Sequence, residues 1–236
     1  MRFFLFLFFT LLVFNCEDKK TKPKKTTNTI TKTDTSVTEP PKVKQDSILT
    51  LEEKYLPLND TNAMAFFSEY EKENPETKVR LFTDFGTIDI ELFENTQYHR
   101  ANFIFLTKNK VFDGTQFHRV VKNFVIQGGS SDDKEVLKKR GRIGRYLLPP
   151  DTRHDHKHYR GVISIPSSEI EDAYKLASPY EFFITQTNQH HLDGLYTIFG
   201  KVIKGMDVVD KIAEVETDGG DWPLRNVYIN KVVVLK

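Results

Sequence analysis

Met1-Arg2 is followed by twelve almost unbroken apolar residues, Phe3 to Phe14, six of them phenylalanine. A helix of that length rises about 18 Å, short of the roughly 30 Å hydrocarbon core of a bilayer. It has no polar face to show to water, so it reads as a secretory signal rather than a membrane span or an amphipathic core helix. The pattern then inverts. Residues 17–46 hold eight Lys, eight Thr between positions 21 and 38, and almost nothing apolar. Such a stretch buries too little surface to offset its ordering entropy and is expected to be a disordered tether, with a span of about 30 Å as a coil. Periodicity returns with Ala63, Phe66, Phe67 and Tyr70 at i, i+3, i+4 and i+7. This predicts a helix capped by Asp60 or Thr61, running to about Glu73 and ended by Asn74-Pro75. Its stripe is expected to pack on the main domain; a partner-binding helix is the alternative. The divisions are therefore a signal at 1–16, a tether at 17–50, a helical extension at 51–77 and a folded domain at 78–236.

From Lys78 the pattern turns to short alternating runs. Val79–Thr83 and Thr87–Leu92 flank Asp84-Phe85-Gly86, a hairpin signal with Ile88, Ile90 and Leu92 on one face. Ala101–Asn109 and Met206–Val215 read as helices, Val111–Thr115 as a turn, and Val227–Leu235 as a strand. Many short strands with only two internal helices predict a barrel or sandwich. In Phe117–Gly129, period-two geometry sets Phe117, Arg119 and Val121 on one face; after a Lys-Asn turn, Val125 and Gln127 share a face. Arg119 and Gln127 interrupt otherwise apolar strands. A guanidinium is costly to desolvate unless paired, so this is either a structural ion pair or a fixed donor beside an apolar pocket.

Composition narrows the chemistry. The chain carries 34 Lys+Arg against 33 Asp+Glu over 236 residues, and the part beyond residue 46 is net acidic, so no large basic surface for nucleic acid is implied. The single cysteine is Cys16, which leaves the folded part without a disulfide framework, thiolate metal site or thiol nucleophile. His154-Asp155-His156-Lys157-His158 invites a metal reading, since alternate histidines on a strand point to one side. The stretch follows Pro149-Pro150 and has no spaced fourth ligand, so no metal and no other cofactor is expected.

Phe117-His118-Arg119-Val120-Val121-Lys122-Asn123-Phe124-Val125-Ile126-Gln127-Gly128-Gly129 resembles the central signature of cyclophilins, the cyclosporin-binding class of peptidyl-prolyl isomerases. Gly161–Ser164, Glu181-Phe182-Phe183-Ile184, His191-Leu192-Asp193-Gly194, Tyr196–Val202 and Gly205–Ile212 extend the likeness over about residues 78–236. The resemblance implies an eight-stranded antiparallel barrel capped by two helices, here with an N-terminal helical extension. It implies that Arg119 is the catalytic arginine. Phe124, Val125, Phe183 and Leu192 match the proline-ring pocket, and Gln127 matches the residue that hydrogen-bonds the substrate backbone. Tyr196 stands where many members carry His. Pro166 replaces the usual Ala on the edge strand that pairs with substrate, which removes an N–H and leaves a carbonyl acceptor. Glu181 replaces Gln, His191 stands where many eukaryotic members carry the cyclosporin-contacting Trp, and Gln97 replaces a common Pro. The family's Gly-rich loop appears here as a basic loop, Ser130 to Arg145, either solvated or favouring acidic residues before proline.

Val13-Phe14-Asn15-Cys16 resembles the lipobox of bacterial lipoproteins, which implies acylation of Cys16 as the new N-terminus; Glu17-Asp18-Lys19-Lys20 resembles a charged sorting tag. Several acyl chains at about 0.8 kcal/mol per CH₂ hold a protein on a membrane. The expected protein is thus a monomeric, lipid-anchored prolyl isomerase of the bacterial cell envelope, on the periplasmic face or the outer surface, acting on proline-containing polypeptides that fold outside the cytoplasm. The rival expectation is a cyclophilin-fold module that binds Pro-containing segments or surface partners without turnover.

Overall fold

The computed structural model describes residues 57–167 and 174–236. The signal segment, the tether with Cys16, and residues 51–56 of the extension lie outside the described residues. Within them the chain forms β1 (Leu58–Asn59), α1 (Ala63–Glu73), β2 (Lys78–Thr83), β3 (Gly86–Leu92), α2 (Gln97–Lys108), β4 (Thr115–Val121), β5 (Val125–Ser130), α3 (Lys134–Ile143), β6 (Gly144–Arg145), β7 (Val162–Ser164), β8 (Phe182–Thr185), β9 (Ile198–Lys204), α4 (Met206–Ala213) and β10 (Val227–Leu235). Eight strands close into an antiparallel barrel in the order β10-β2-β3-β9-β7-β8-β5-β4, with β4 returning to pair with β10. Closure leaves these strands without an open edge. The short β1 pairs in parallel with β6 outside the barrel.

Alternation along the strands fills the interior. Val79 and Leu81 of β2, Ile88 and Ile90 of β3, Ile126 of β5, Phe182 and Ile184 of β8 and Phe199 of β9 are all buried in one core cluster. Helix α2 adds Phe103, whose ring stacks on Phe112 at 4.7 Å and meets Phe182 and Phe199 edge-on or tilted at 5.6 Å. Helix α4 adds Val208, Val209 and Ile212 to the same cluster.

The predicted stripe of α1 is spent inside the molecule. Ala63 and Phe67 are fully buried, and Phe66, Phe67 and Tyr70 surround the Phe105 ring of α2 at 5.1, 5.9 and 5.2 Å. Arg100 of α2, itself buried, donates to the Glu71 carboxylate at 3.0 Å and to the carbonyls of Asn74 and Glu76 just beyond the end of α1. The cap falls at Asn62, one residue past Thr61 and two past Asp60, and makes no side-chain cap bond. Asp60 serves elsewhere, accepting the Leu147 N–H at 2.9 Å.

The segment expected as a loop, Ser130 to Arg145, is largely the helix α3. Asp133 caps it by accepting from the N–H groups of Glu135 and Val136, and Val136 and Ile143 turn inward. Arg140 on the same face stacks its guanidinium over the Tyr180 ring at 5.1 Å and donates to the Gly129 carbonyl.

His99 of α2 is 1% exposed, and neither ring nitrogen has a hydrogen-bond partner. Burial pushes its imidazole down to about 4 from 6.5, against a weak opposing pull from Asp151. Between those values the unfolded chain binds a proton that the folded chain refuses, so stability rises with pH across the window and is lost as pH falls through it. Denaturant unfolding of the wild type from pH 7 to pH 4 is expected to lose about 3 kcal/mol through this residue alone. His99→Leu should flatten that dependence; an unchanged slope would contradict the assignment.

Candidate active site

The residues singled out as a candidate site lie on the outside of the barrel, where β4, β5, β8 and β7 run side by side. Cα register pairs Arg119 with Gln127, Gln127 with Phe183, and Phe183 with Ser164, so these four residues stand abreast across four strands. Strand alternation then sets Val125, two residues from Gln127, on the same outer face. Val125, Phe183 and Leu192 form a second apolar cluster separate from the barrel core, flanked by Phe124 and Tyr196.

A bulge decides where Arg119 points. Phe117 pairs with Gly128 but Arg119 pairs with Gln127, so His118 is an extra residue on β4. Straight alternation would have put Phe117, Arg119 and Val121 on one face. The inserted residue reverses the phase: Phe117 and Val120 both enter the core, while Arg119 and Val121 face out. Gly129 is the complementary extra residue on β5, so the register before and after the pair is the same. Both glycines of the Gly128-Gly129 pair are sterically required. A Cβ on Gly128 would lie 2.8 Å from the Phe117 ring, and one on Gly129, at φ +102°, would lie 2.3 Å from the Tyr180 carbonyl oxygen.

All eight residues singled out from the sequence, Arg119, Phe124, Val125, Gln127, Pro166, Phe183, Leu192 and Tyr196, line one cavity of about 130 Å³. Phe124 follows the β4–β5 turn, in which Asn123 adopts φ +61° and is tied to the Gln186 and Gln189 side chains. His191 stacks on the Phe124 ring at 5.6 Å, and Tyr196 meets Phe183 edge-on at 5.7 Å. Leu192 ends a single 3-10 turn, His190–Leu192. Pro166 was expected on an edge strand but lies two residues beyond the end of β7; its carbonyl accepts the Ser178 N–H at 3.2 Å and keeps a second lone pair for another donor.

Of the partners that hold the polar groups, Glu181 was singled out in the sequence and Asp221 was not. Arg119, 40% exposed in its side chain, pairs with Asp221 at 3.1 Å and lies 6.0 Å from the Phe124 ring centroid. Asp221 sits at φ +65° in a loop bound by the Asp218 carboxylate, and its carbonyl accepts the Val120 N–H. Gln127 Nε2 donates to Glu181 at 3.0 Å, and His118 Nε2, presented by the bulge, lies 3.5 Å from the same oxygen. Burial pushes the Glu181 carboxyl up, yet His118, Gln127 and Arg140 outweigh it and hold it below the ordinary glutamate value.

The histidine stretch resolves into three different surroundings. His154 faces Asp151 at 3.5 Å; His156 stacks on Phe93 at 4.5 Å and reaches Asn95 at 3.2 Å. His158 is fully buried, with Nδ1 3.0 Å from Asp193 and Nε2 3.1 Å from Ser164. Burial holds His158 below its usual pKa, although the Asp193 carboxylate pulls the other way. Among the described residues no group of three or more His, Cys, Asp or Glu is gathered for a metal. Asp193–His158–Ser164 has the order of an acyl-transfer triad. The His158 imidazole stacks on Phe183 at 6.1 Å, and Ser164 is wholly buried, so the row braces the pocket wall and offers no nucleophile to solvent.

Residues 78–234 match the family model described as cyclophilin type peptidyl-prolyl cis-trans isomerase/CLD. Peptidyl-prolyl cis-trans isomerase CYP18-1 of Arabidopsis thaliana is 38% identical over 158 residues, covering 66% of this chain and 94% of the relative. A peptidyl-prolyl cis-trans isomerase of Acinetobacter baylyi is 36% identical over 147 residues, 60% of this chain and 74% of the relative. Among solved structures, a Cryptosporidium parvum cyclophilin type peptidyl-prolyl cis-trans isomerase, crystallised in the presence of the dipeptide ala-pro, superposes with a TM-score of 0.57 at 27% identity. That match covers 67% of this chain and 99% of the other.

Proposed function

The chain belongs to the cyclophilin-type peptidyl-prolyl cis-trans isomerases, and from that premise we propose that the cavity on the outer face of β4, β5 and β8 is where it turns X–Pro bonds. The observation that carries this is the row Arg119–Gln127–Phe183, with its one fixed cation beside an apolar wall. Rotation about the amide makes and breaks no covalent bond. Its barrier of about 18–20 kcal/mol is resonance, so acceleration rests on holding the twisted peptide more tightly than the planar one. Phe124, Val125, Phe183 and Leu192 take the proline ring, and Tyr196 and Pro166 bound the slot. Arg119, oriented by Asp221, donates to the peptide as its amide loses planarity. Gln127 engages the substrate backbone. The ala-pro dipeptide present with the Cryptosporidium relative supports a proline-containing peptide as the occupant.

Cis-to-trans conversion of a short X–Pro peptide at low temperature, followed with the full chain, tests these roles. Uncatalysed conversion takes about 10–100 s at 25 °C, so acceleration is directly visible. Arg119→Ala is expected to lower kcat/KM about tenfold or more, in the range of a lost transition-state donor. Turnover indifferent to Arg119 would move the site to other residues. A folded chain with no turnover at all would favour a binding role, to which the Ser178 contact on Pro166 would contribute.

We further infer that the chain is lipid-anchored through Cys16 in a bacterial cell envelope and serves proteins that fold outside the cytoplasm. Support comes from the apolar run Phe3–Phe14, the placement of the only cysteine directly behind it, and the Thr- and Lys-rich segment that follows. In fractionated bacterial cells the wild type should sediment with membranes and Cys16→Ser should lose its acyl chains and become extractable. Equal partition of the two would refute the anchor.

A further inference from the structure

Gln127 is an amide with two chemically opposite ends, and nothing in its own strand dictates which end meets the bound peptide. Its neighbour dictates it. An ionised carboxylate accepts and does not donate, so the Gln127 nitrogen must be the end turned to Glu181, as the 3.0 Å contact shows. The carbonyl oxygen is thereby turned away from Glu181. A neutral glutamine at position 181 would impose no such choice, because it pairs with either end.

The structure holds Glu181 firmly in that office. Gly129 lets the Tyr180–Glu181 backbone approach β5 more closely than any side chain would permit. Two charged or titratable groups act on the carboxylate: His118 from β4, at 3.5 Å from Oε2, and Arg140 from α3. Their net effect favours the ionised, accept-only form. Across the row, Arg119 is a pure donor and is already oriented by Asp221. The working face therefore offers a fixed donor at Arg119 and a fixed acceptor at its register partner, which suits a peptide backbone that presents both carbonyl and N–H groups.

We propose that Glu181 is a positioning residue that turns the Gln127 amide so that its carbonyl oxygen faces the pocket and accepts a backbone N–H of the X–Pro substrate. The inference rests on the reading of the pocket given above and names the hydrogen-bond polarity that the pocket selects. A substrate methylated at the flanking backbone nitrogen would lack the matching donor and bind less well.

The test compares the full chain with its Glu181→Gln and Gln127→Ala variants on an X–Pro peptide and on the same peptide N-methylated at its flanking amides, alongside the ¹H–¹⁵N side-chain amide signals of Gln127. In the wild type one Gln127 amide proton should lie downfield, in contact with a carboxylate, and Glu181→Gln should move it back. The same variant should raise KM about fivefold with kcat nearly unchanged, the scale of one hydrogen bond, and should lose most of the discrimination against the methylated peptide. Loss of turnover in Gln127→Ala without any change of KM, discrimination or amide signal in Glu181→Gln would overturn this inference alone. Indifference of turnover to Gln127→Ala would overturn the pocket reading and this inference with it.

Discussion

The single extra residue at His118 is the constraint on which the site depends. An unbulged β4 would carry the Arg119 guanidinium into the barrel on the same face as Phe117 and turn Val120 outward, and an unpaired charge buried there is prohibitive. The bulge sends the cation outward and keeps both flanking apolar residues in the core. It also swings His118 toward Glu181, so one backbone irregularity orients two groups of the site. The matching irregularity at Gly129 restores the register, and the barrel closes as if neither were there. Bulges concentrate beside active sites because they re-aim a side chain without unpairing the sheet beyond it.

Around that row the polar groups are braced in pairs. Asp221 holds Arg119, Glu181 holds Gln127, and the buried Asp193–His158–Ser164 row lies behind Phe183. The elements outside the barrel extend the bracing. The segment before α1 pairs with β6, α1 fills against α2, and α3 delivers Arg140 to Tyr180 and the Gly129 carbonyl. An addition at the N-terminus thus reaches the neighbourhood of Glu181 through a continuous set of packed residues.

Much of this was legible in the residues. The β2–β3 hairpin, the aromatic stripe of α1, α4 and β10 followed from periodicity, because each buries one face over several turns or pleats. The pocket residues were legible from motif order. What escaped was of two kinds. Helix α3 was hidden by its five basic residues and by the expectation of a loop, although Asp133 as a cap with Val136, Arg140 and Ile143 at helical spacing was the available signal. The bulge, the Asp221 partner and the buried Asp193–His158–Ser164 row depend on contacts between residues apart in the chain. Local alternation carries no trace of one inserted residue, and Asp221 lies about a hundred positions beyond Arg119.

The bound peptide is expected to lie across the Arg119–Gln127–Phe183 row on the barrel's outer face. A structure of the chain with an X–Pro peptide bound tests it most directly. The account predicts the proline ring against Phe124, Phe183 and Leu192, with the Arg119 guanidinium within hydrogen-bond distance of the peptide flanking the prolyl bond. A peptide seated elsewhere on the barrel, with this row open to solvent, would contradict it.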